Sequence, residues 1–269
     1  MQSGRSTGCI AMVSAALRTR SVTERGSAAS MSTPVIRKLS AVVAFTPDEA
    51  AALTGLFECV RRVGPRTDLV REGDRPTTNF VLLSGLLARV KRHPSGKRQV
   101  TRLFVPGDLY NPFCSILGPV DHDCVSFSSA VIAPVSAAAY EEFLEAYPRV
   151  ARAFLWARLV ELSTAERWIV GLGVLSACQR LAHLFCELHV RLDAVGLVSN
   201  LSYSLPLTQE DLADVLGLSS VHMNRIVQSL RDEGVITFRE RTLTITNLQR
   251  LRELADFCPG YLHLPGPGA

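Results

Sequence analysis

The chain has 269 residues, 47% of them apolar and 20% charged, an ordinary globular composition with enough length for two compact domains. Its formal net charge of +4 arises largely in residues 1–33, where Arg5, Arg18, Arg20 and Arg25 oppose Glu24, so bulk basicity marks no nucleic-acid partner. No charge-free apolar run reaches the length of a bilayer span, the nearest, Cys124 to Tyr140, being broken by Pro134; seven cysteines with no Cys-x-x-Cys fit a reducing cytoplasm better than a disulfide framework or a zinc or iron–sulfur centre.

Residues 1–33 read as a flexible Ser/Ala/Arg-rich extension with Met31 as a candidate start. The apolar stretch 9–17 has only Arg5 before it and Arg18 and Arg20 after it, so no signal peptide is expected. Thr46-Pro-Asp-Glu49 opens a helix that runs to about Arg62: Thr46 caps, Pro47 takes the first helical position and Glu49 completes the box. Glycines then recur at Gly73, Gly85, Gly96, Gly107 and Gly118 between short β-rich runs such as Phe80–Leu83, Leu86–Val90 and Gln99–Val105. That rhythm predicts an antiparallel β-roll or sandwich over residues 34–147, ending in a short helix at Tyr140–Ala146.

Pro148 starts a long helix through about Val170 whose first half is apolar nearly all round, with Val150, Phe154, Leu155, Trp156, Leu159, Val160 and Leu162. One face suits the β-roll and another needs a second partner, which predicts a subunit interface over residues 148–175. A turn and hinge are expected at Gly171-Leu-Gly173, and Ser176 with Gln179 caps the next helix. In that helix His183-Leu-Phe-Cys-Glu-Leu-His189 offers ligand-type side chains, but Leu181, Leu184, Phe185 and Leu188 give it an amphipathic stripe, so core and surface roles are expected.

The most informative stretch is Leu207–Gly234. Thr208 caps a first helix with Asp211 in the reciprocal position, and Leu212, Ala213 and Leu216 form its buried stripe. Gly217 ends it, Ser219 or Ser220 caps a second helix, and Ile226, Val227 and Leu230 face inward. Val221, His222, Arg225 and Gln228 remain outward, a face suited to base edges in the major groove. Val235–Phe238 and Thr242–Thr246 alternate as a hairpin whose tip carries Arg239 and Arg241, suited to phosphates. Residues 208–247 hold four Arg against six Asp and Glu, so the inference rests on placement rather than on total charge. A domain over 176–257 and a flexible tail over 258–269 complete the organisation.

A β-roll, a long helix and a C-terminal winged helix-turn-helix, in that order, resemble the Crp/Fnr family of bacterial transcription regulators over roughly residues 34–257. The resemblance is carried by Val70-Arg-Glu-Gly-Asp74, Leu83-Ser-Gly85, Val105-Pro-Gly-Asp108, Arg180–Leu188 and above all Leu207–Gly234. It implies an α+β fold and a cytoplasmic, non-enzymatic homodimer that reads two-fold-related double-stranded DNA, with RNA polymerase as a further partner and no membrane association. It implies that Ser220, Val221 and Arg225 face the bases, that His222, Asn224 and Gln228 flank them, and that Thr208, Gln209 and Ser219 lie near phosphates.

Two departures limit the carry-over. Val221 stands where the best-known members have an acidic residue that accepts from cytosine, so their operators are not assigned here. Family members that bind cyclic nucleotides carry a Gly-Glu pair and an Arg-Ser or Arg-Thr pair, whereas this chain shows Tyr110-Asn-Pro-Phe-Cys114 and Asp123-Cys124. An aspartate facing a phosphate repels it and no replacement cation is evident in the sequence, so cAMP and cGMP are not expected as effectors unless Arg89, Arg92 or Arg102 turns inward, and the roll either senses another signal or is degenerate. No metal or cofactor is expected: only Cys9 precedes Cys59, and haem would have to use His93, His122 or Cys114. A cupin-type metalloenzyme would need more histidine than the His93 and His122 present in residues 63–140, and a winged helix that docks protein remains the alternative to a DNA reader.

Overall fold

The computed structural model describes residues 23–24, 33–111 and 113–264; all but two residues of the expected N-terminal extension before Thr33 lie outside them. The two are β1 (Thr23–Glu24), which pairs with β2 (Val60–Val63). Two helices precede β2: α1 (Thr33–Ser40) and α2 (Pro47–Leu56). The second begins where the capping signal placed it, with Glu49 N–H donating to Thr46 Oγ1 at 3.2 Å and Thr46 N–H donating to the Glu49 carboxylate at 2.8 Å. It stops at Leu56, short of the expected Arg62, because Arg61 and Arg62 pair in β2 with Ile132 and Val131.

The roll is built from β3 (Asp68–Val70), β4 (Thr78–Ser84), β5 (Leu87–Arg92), β6 (Arg98–Phe104), β7 (Leu109–Tyr110), β8 (Asp123–Ser126) and β9 (Ala130–Ser136). They form two antiparallel sheets, β1-β2-β9-β4-β7 and β3-β8-β5-β6, closed over Phe80, Leu82, Leu87, Phe104, Tyr110 and Ile132. Gly85 sits at φ +92° where an added Cβ would lie 2.5 Å from the Ser129 carbonyl oxygen, so only glycine lets the two sheets meet there. A short α3 (Cys114–Leu117) follows β7, and α4 (Ala137–Ala146), capped by Ser136, closes one end.

The long helix α5 (Pro148–Val174) runs for 27 residues, through the expected turn at Gly171–Gly173, and breaks at Leu175, whose backbone is extended. Tertiary packing outweighs the glycines' entropy: Gly171 is buried and its carbonyl accepts from Leu175 N–H at 3.0 Å. After α6 (Ala177–Asp193) come β10 (Ser202–Ser204), α7 (Gln209–Leu216), α8 (Ser220–Asp232), β11 (Ile236–Arg239), β12 (Thr242–Ile245), α9 (Leu248–Ala255) and a 3-10 turn at Pro259–Leu262.

One apolar cluster joins the outer face of β5 and β6, including Ala88, Val100 and Leu103, to Leu184, Leu188 and Val215 of the C-terminal part. The roll and the helix-turn-helix therefore share a core rather than hanging from a linker. The segment expected as a flexible tail is packed through Leu264, because Tyr261 donates to Glu187 at 2.9 Å and stacks on His183. His183 thus works as an aromatic packing partner, also receiving Arg167 Nε at 3.1 Å.

Candidate nucleic-acid interface

Local chemistry builds the reader. In α7, Asp211 N–H donates to Thr208 Oγ1 at 3.1 Å while Thr208 N–H and its hydroxyl both donate to the Asp211 carboxylate at 2.8 Å. Thr208 is exposed, yet its hydroxyl hydrogen is committed to the cap, which leaves Gln209 and Ser219 with freer donors. Gly217 takes φ +65° and ends the helix, its N–H reaching the Ala213 carbonyl. Ser219, not Ser220, caps α8 by accepting from His222 N–H at 3.3 Å.

Along α8, Met223, Ile226, Val227 and Leu230 are buried. Ser220, Val221, His222, Asn224, Arg225 and Gln228 are all exposed, and the i, i+4, i+7 spacing of Val221, Arg225 and Gln228 places them on one face. Arg225 has no hydrogen bond or ion pair among the described residues, whereas Gln228 donates to Asp232 at 2.7 Å. The hairpin β11–β12 forms in the expected place and gains β10 as a third strand that no sequence pattern signals. Ser202, Tyr203 and Ser204 are too few to show a period.

Arg239 pairs with Thr242, so the wing turns on two residues, Glu240 and Arg241, at φ +49° and +60°. Such a turn favours Asn-Gly, because a side chain bearing a Cβ is strained at positive φ. Arg239 and Arg241 both stand exposed at this tip.

No local pattern signals how the reader is held. Arg66, between β2 and β3, makes a bidentate pair with the buried Asp211 at 2.6 and 2.7 Å. Arg98 Nε meets Asp214 at 2.5 Å, and Gln99 donates to the Val215 carbonyl at 3.0 Å. The acidic face of α7 thus lies on a basic edge of the roll. Burial alone would raise the Asp211 carboxyl, but the Arg66 and Thr208 donors outweigh it and hold the group below the ordinary carboxylate range.

Inside the roll, Tyr110 is fully buried, stacks on Phe80 at 4.7 Å and reaches His122 through its hydroxyl at 3.3 Å. Asp123 does not stand as a free charge: Arg92 meets it at 2.6 Å and Glu72 N–H donates to it at 2.9 Å. The repulsion expected from Asp123 is therefore neutralised, and replacement cations do exist. The register puts Arg89 opposite both Arg102 and Cys124, on the inward face shared with Leu87 and Phe104. Among the described residues no group of three or more His, Cys, Asp or Glu is arranged to hold a metal ion.

Two outcomes are expected. Asp211→Asn should weaken the docked reader by about 1–3 kcal/mol, at the lower end because Arg66 is half exposed. A carboxyl depressed on folding stabilises above its unfolded pKa and loses that contribution as pH falls. The protection of wild-type α7 amides, taken as exchange relative to the intrinsic rate at each pH, should therefore be steady between about pH 5 and 8 and fall below about pH 4, while Asp211→Asn is less protected throughout. Replacing Glu240 by Asn and Arg241 by Gly together should raise the unfolding free energy by about 1 kcal/mol, read as a higher urea midpoint, yet lower affinity for all DNA sequences and reduce the salt slope by about one unit.

Comparison with known proteins agrees with this architecture. Residues 60–147 match the cyclic nucleotide-binding domain family and residues 179–254 the Crp-like helix-turn-helix domain family. The transcriptional activator protein FnrL of Cereibacter sphaeroides is 28% identical over 193 residues, 70% of this chain and 76% of that protein. The nitrogen fixation regulation protein FixK of Bradyrhizobium diazoefficiens is 26% identical over 184 residues, 68% of this chain and 76% of that protein. Among solved structures, FixK2 from Bradyrhizobium japonicum superposes with a TM-score of 0.65 at 22% identity, covering 74% of this chain and 98% of that one, a likeness of fold. With both domain families matched in this order around one long helix, the chain belongs to the Crp/Fnr family of DNA-binding transcription regulators.

Proposed function

We propose that two copies of this regulator associate through α5 and read a two-fold-related operator in the cytoplasm, with RNA polymerase as the further partner. The observation that carries the dimer is the spacing of bare apolar residues. Leu155, Leu159, Leu162 and Ile169 are 59%, 55%, 56% and 67% exposed, and with Glu166 they recur at steps of four and three, the seam of a two-stranded coiled coil. A two-fold axis along that seam gives an isologous contact and presents two readers.

In this reading Ser220, Val221 and Arg225 contact bases, His222, Asn224 and Gln228 flank them, and Thr208, Gln209, Ser219, Arg239 and Arg241 lie along the phosphates. Arg225 supports it best: it is exposed, unencumbered and mid-face on α8, and arginine donates two hydrogen bonds to guanine. The roll receives a signal other than a cyclic nucleotide.

Selection from a random duplex pool, followed by titration at several salt concentrations, tests the reading. A steep salt slope is expected from phosphate contacts, and a flat one would turn the winged helix into a protein-docking module. Arg225→Ala should cost about 1–3 kcal/mol on the selected site and little on random DNA; equal losses on both would make it a phosphate contact. Leu159→Glu should sediment as a monomer and lose the tight two-fold site, whose half-site centres lie about 34–36 Å apart in the dimer-bound wild type. A wild-type monomer at micromolar concentration that binds an isolated half-site undiminished would remove the dimer.

A further inference from the structure

Between the inward face of β5 and β6 and the middle of α5 lies a cavity of about 200 Å³. Its charges do not balance. Glu161 on α5 is shared by three guanidinium groups: Arg102, Arg89 at 3.4 Å and Arg158 at 2.6 Å. Asp108 stands 3.8 Å from Arg102 but is already held by Lys38 and by Arg191 at 2.9 Å. Three guanidinium groups on one carboxylate leave a local surplus of two positive charges. Burial lowers Arg102 to about 10, opposed by Glu161 and Asp108, so it stays charged at neutral pH. The buried Nε of Arg89 has no hydrogen-bond partner among the described residues. Partly buried cations without counter-charge are unfavourable, and such a cavity selects anions.

Much of the remaining wall is apolar, with Leu103, Trp156, Leu162, Trp168 and Leu262, beside the hydroxyls of Thr101 and Thr164. The volume falls below the roughly 300–1,000 Å³ of pockets that hold drug-sized ligands, so it suits a ligand smaller than a nucleotide. A cyclic phosphate, with one negative charge, also leaves half the surplus in place. We propose that this cavity binds a small dicarboxylate of roughly four to five carbons, its two carboxylates completing the coordination of Arg89, Arg102 and Arg158.

The proposal rests on the reading of the roll as a signal receiver and names the chemical class of the signal. Arg89 and Arg102 belong to the roll while Arg158 and Glu161 belong to α5, so a bound diacid bridges the sensor to the helix that carries the dimer seam. A ligand with that differential contact biases the helix between two placements.

Trp156 and Trp168 both line the cavity and are the two tryptophans of the chain, so intrinsic fluorescence reports on it directly. The full chain is titrated, without DNA, with succinate and glutarate and in parallel with acetate, inorganic phosphate and cAMP, by fluorescence and calorimetry. Because no DNA is present, failure here leaves the operator reading standing. Saturable binding of the diacids is expected. Arg89→Gln should weaken it on the order of ten- to a hundredfold; Glu161→Gln should tighten it, because the variant removes the competing carboxylate and enlarges the surplus. Arg158→Gln, on the more exposed side chain, serves as a second weakened variant if Arg89→Gln does not fold. A merely structural role would not move affinity in opposite directions. Three results would overturn the proposal: no saturation by either diacid up to about 10 mM, acetate, phosphate or cAMP binding as tightly as the diacids, or the arginine and Glu161 variants shifting affinity the same way.

Discussion

A single largely buried guanidinium ties the molecule together. Arg191, on α6, meets Asp108 of the roll and Glu187 of its own helix at 2.9 Å each, and donates to the Leu103 carbonyl of β6 at 2.8 Å. Glu187, fully buried, in turn accepts from Trp168 of the long helix at 2.8 Å and from Tyr261 of the C-terminal segment at 2.9 Å. Burial would raise Asp108, but Lys38, Arg191 and Arg102 hold it far below the usual carboxylate range. Desolvating so many charges offsets most of their mutual attraction, so the network contributes geometry more than net stability. Removing any one member leaves its partners buried and uncompensated, which is why roll, long helix and reader keep one relative placement.

That placement changes what the reader's charges mean. Summed along the chain, residues 208–247 are acidic. In the fold, Asp211 and Asp214 turn toward Arg66 and Arg98, while Arg225, Arg239 and Arg241 stay exposed. The exposed face of α8 and the wing is therefore less acidic than the segment as a whole, and Asp211 and Asp214 of α7 serve docking. The same division explains why Arg66 matters without carrying sequence information: it sets where the reading helix points.

In the roll, aromatic packing and buried charge divide the interior. Phe80, Phe104 and Tyr110 stack into the centre, and the inward arginines sit beyond them, against α5, with Arg102 lying 4.0 Å over the Phe104 ring. A helix that presents Glu161 to the roll and a leucine seam to solvent has two kinds of face for two kinds of partner. Any change in how Glu161 is held is transmitted to that seam through a rigid helix rather than through a loop, since the glycines at 171 and 173 do not interrupt it.

Much was written locally. The capping boxes at Thr46, Ser176 and Thr208, the positive-φ glycine after α7, the period-two wing strands and the outward face of α8 all depend on neighbours within a few residues, and the sequence alone determines them. The helix through Gly171 and Gly173, the packed C-terminal segment, the third wing strand, the Arg66–Asp211 dock and the inward turn of Arg89 and Arg102 were decided by the tertiary structure. Apart from that helix, each joins residues far apart in the chain, and Arg89 in addition sits beside a register shift at Arg89/Val90 that no pattern of apolar residues reports. Local sequence carries propensity and period; which distant charge meets which is set only when strands register and helices pack.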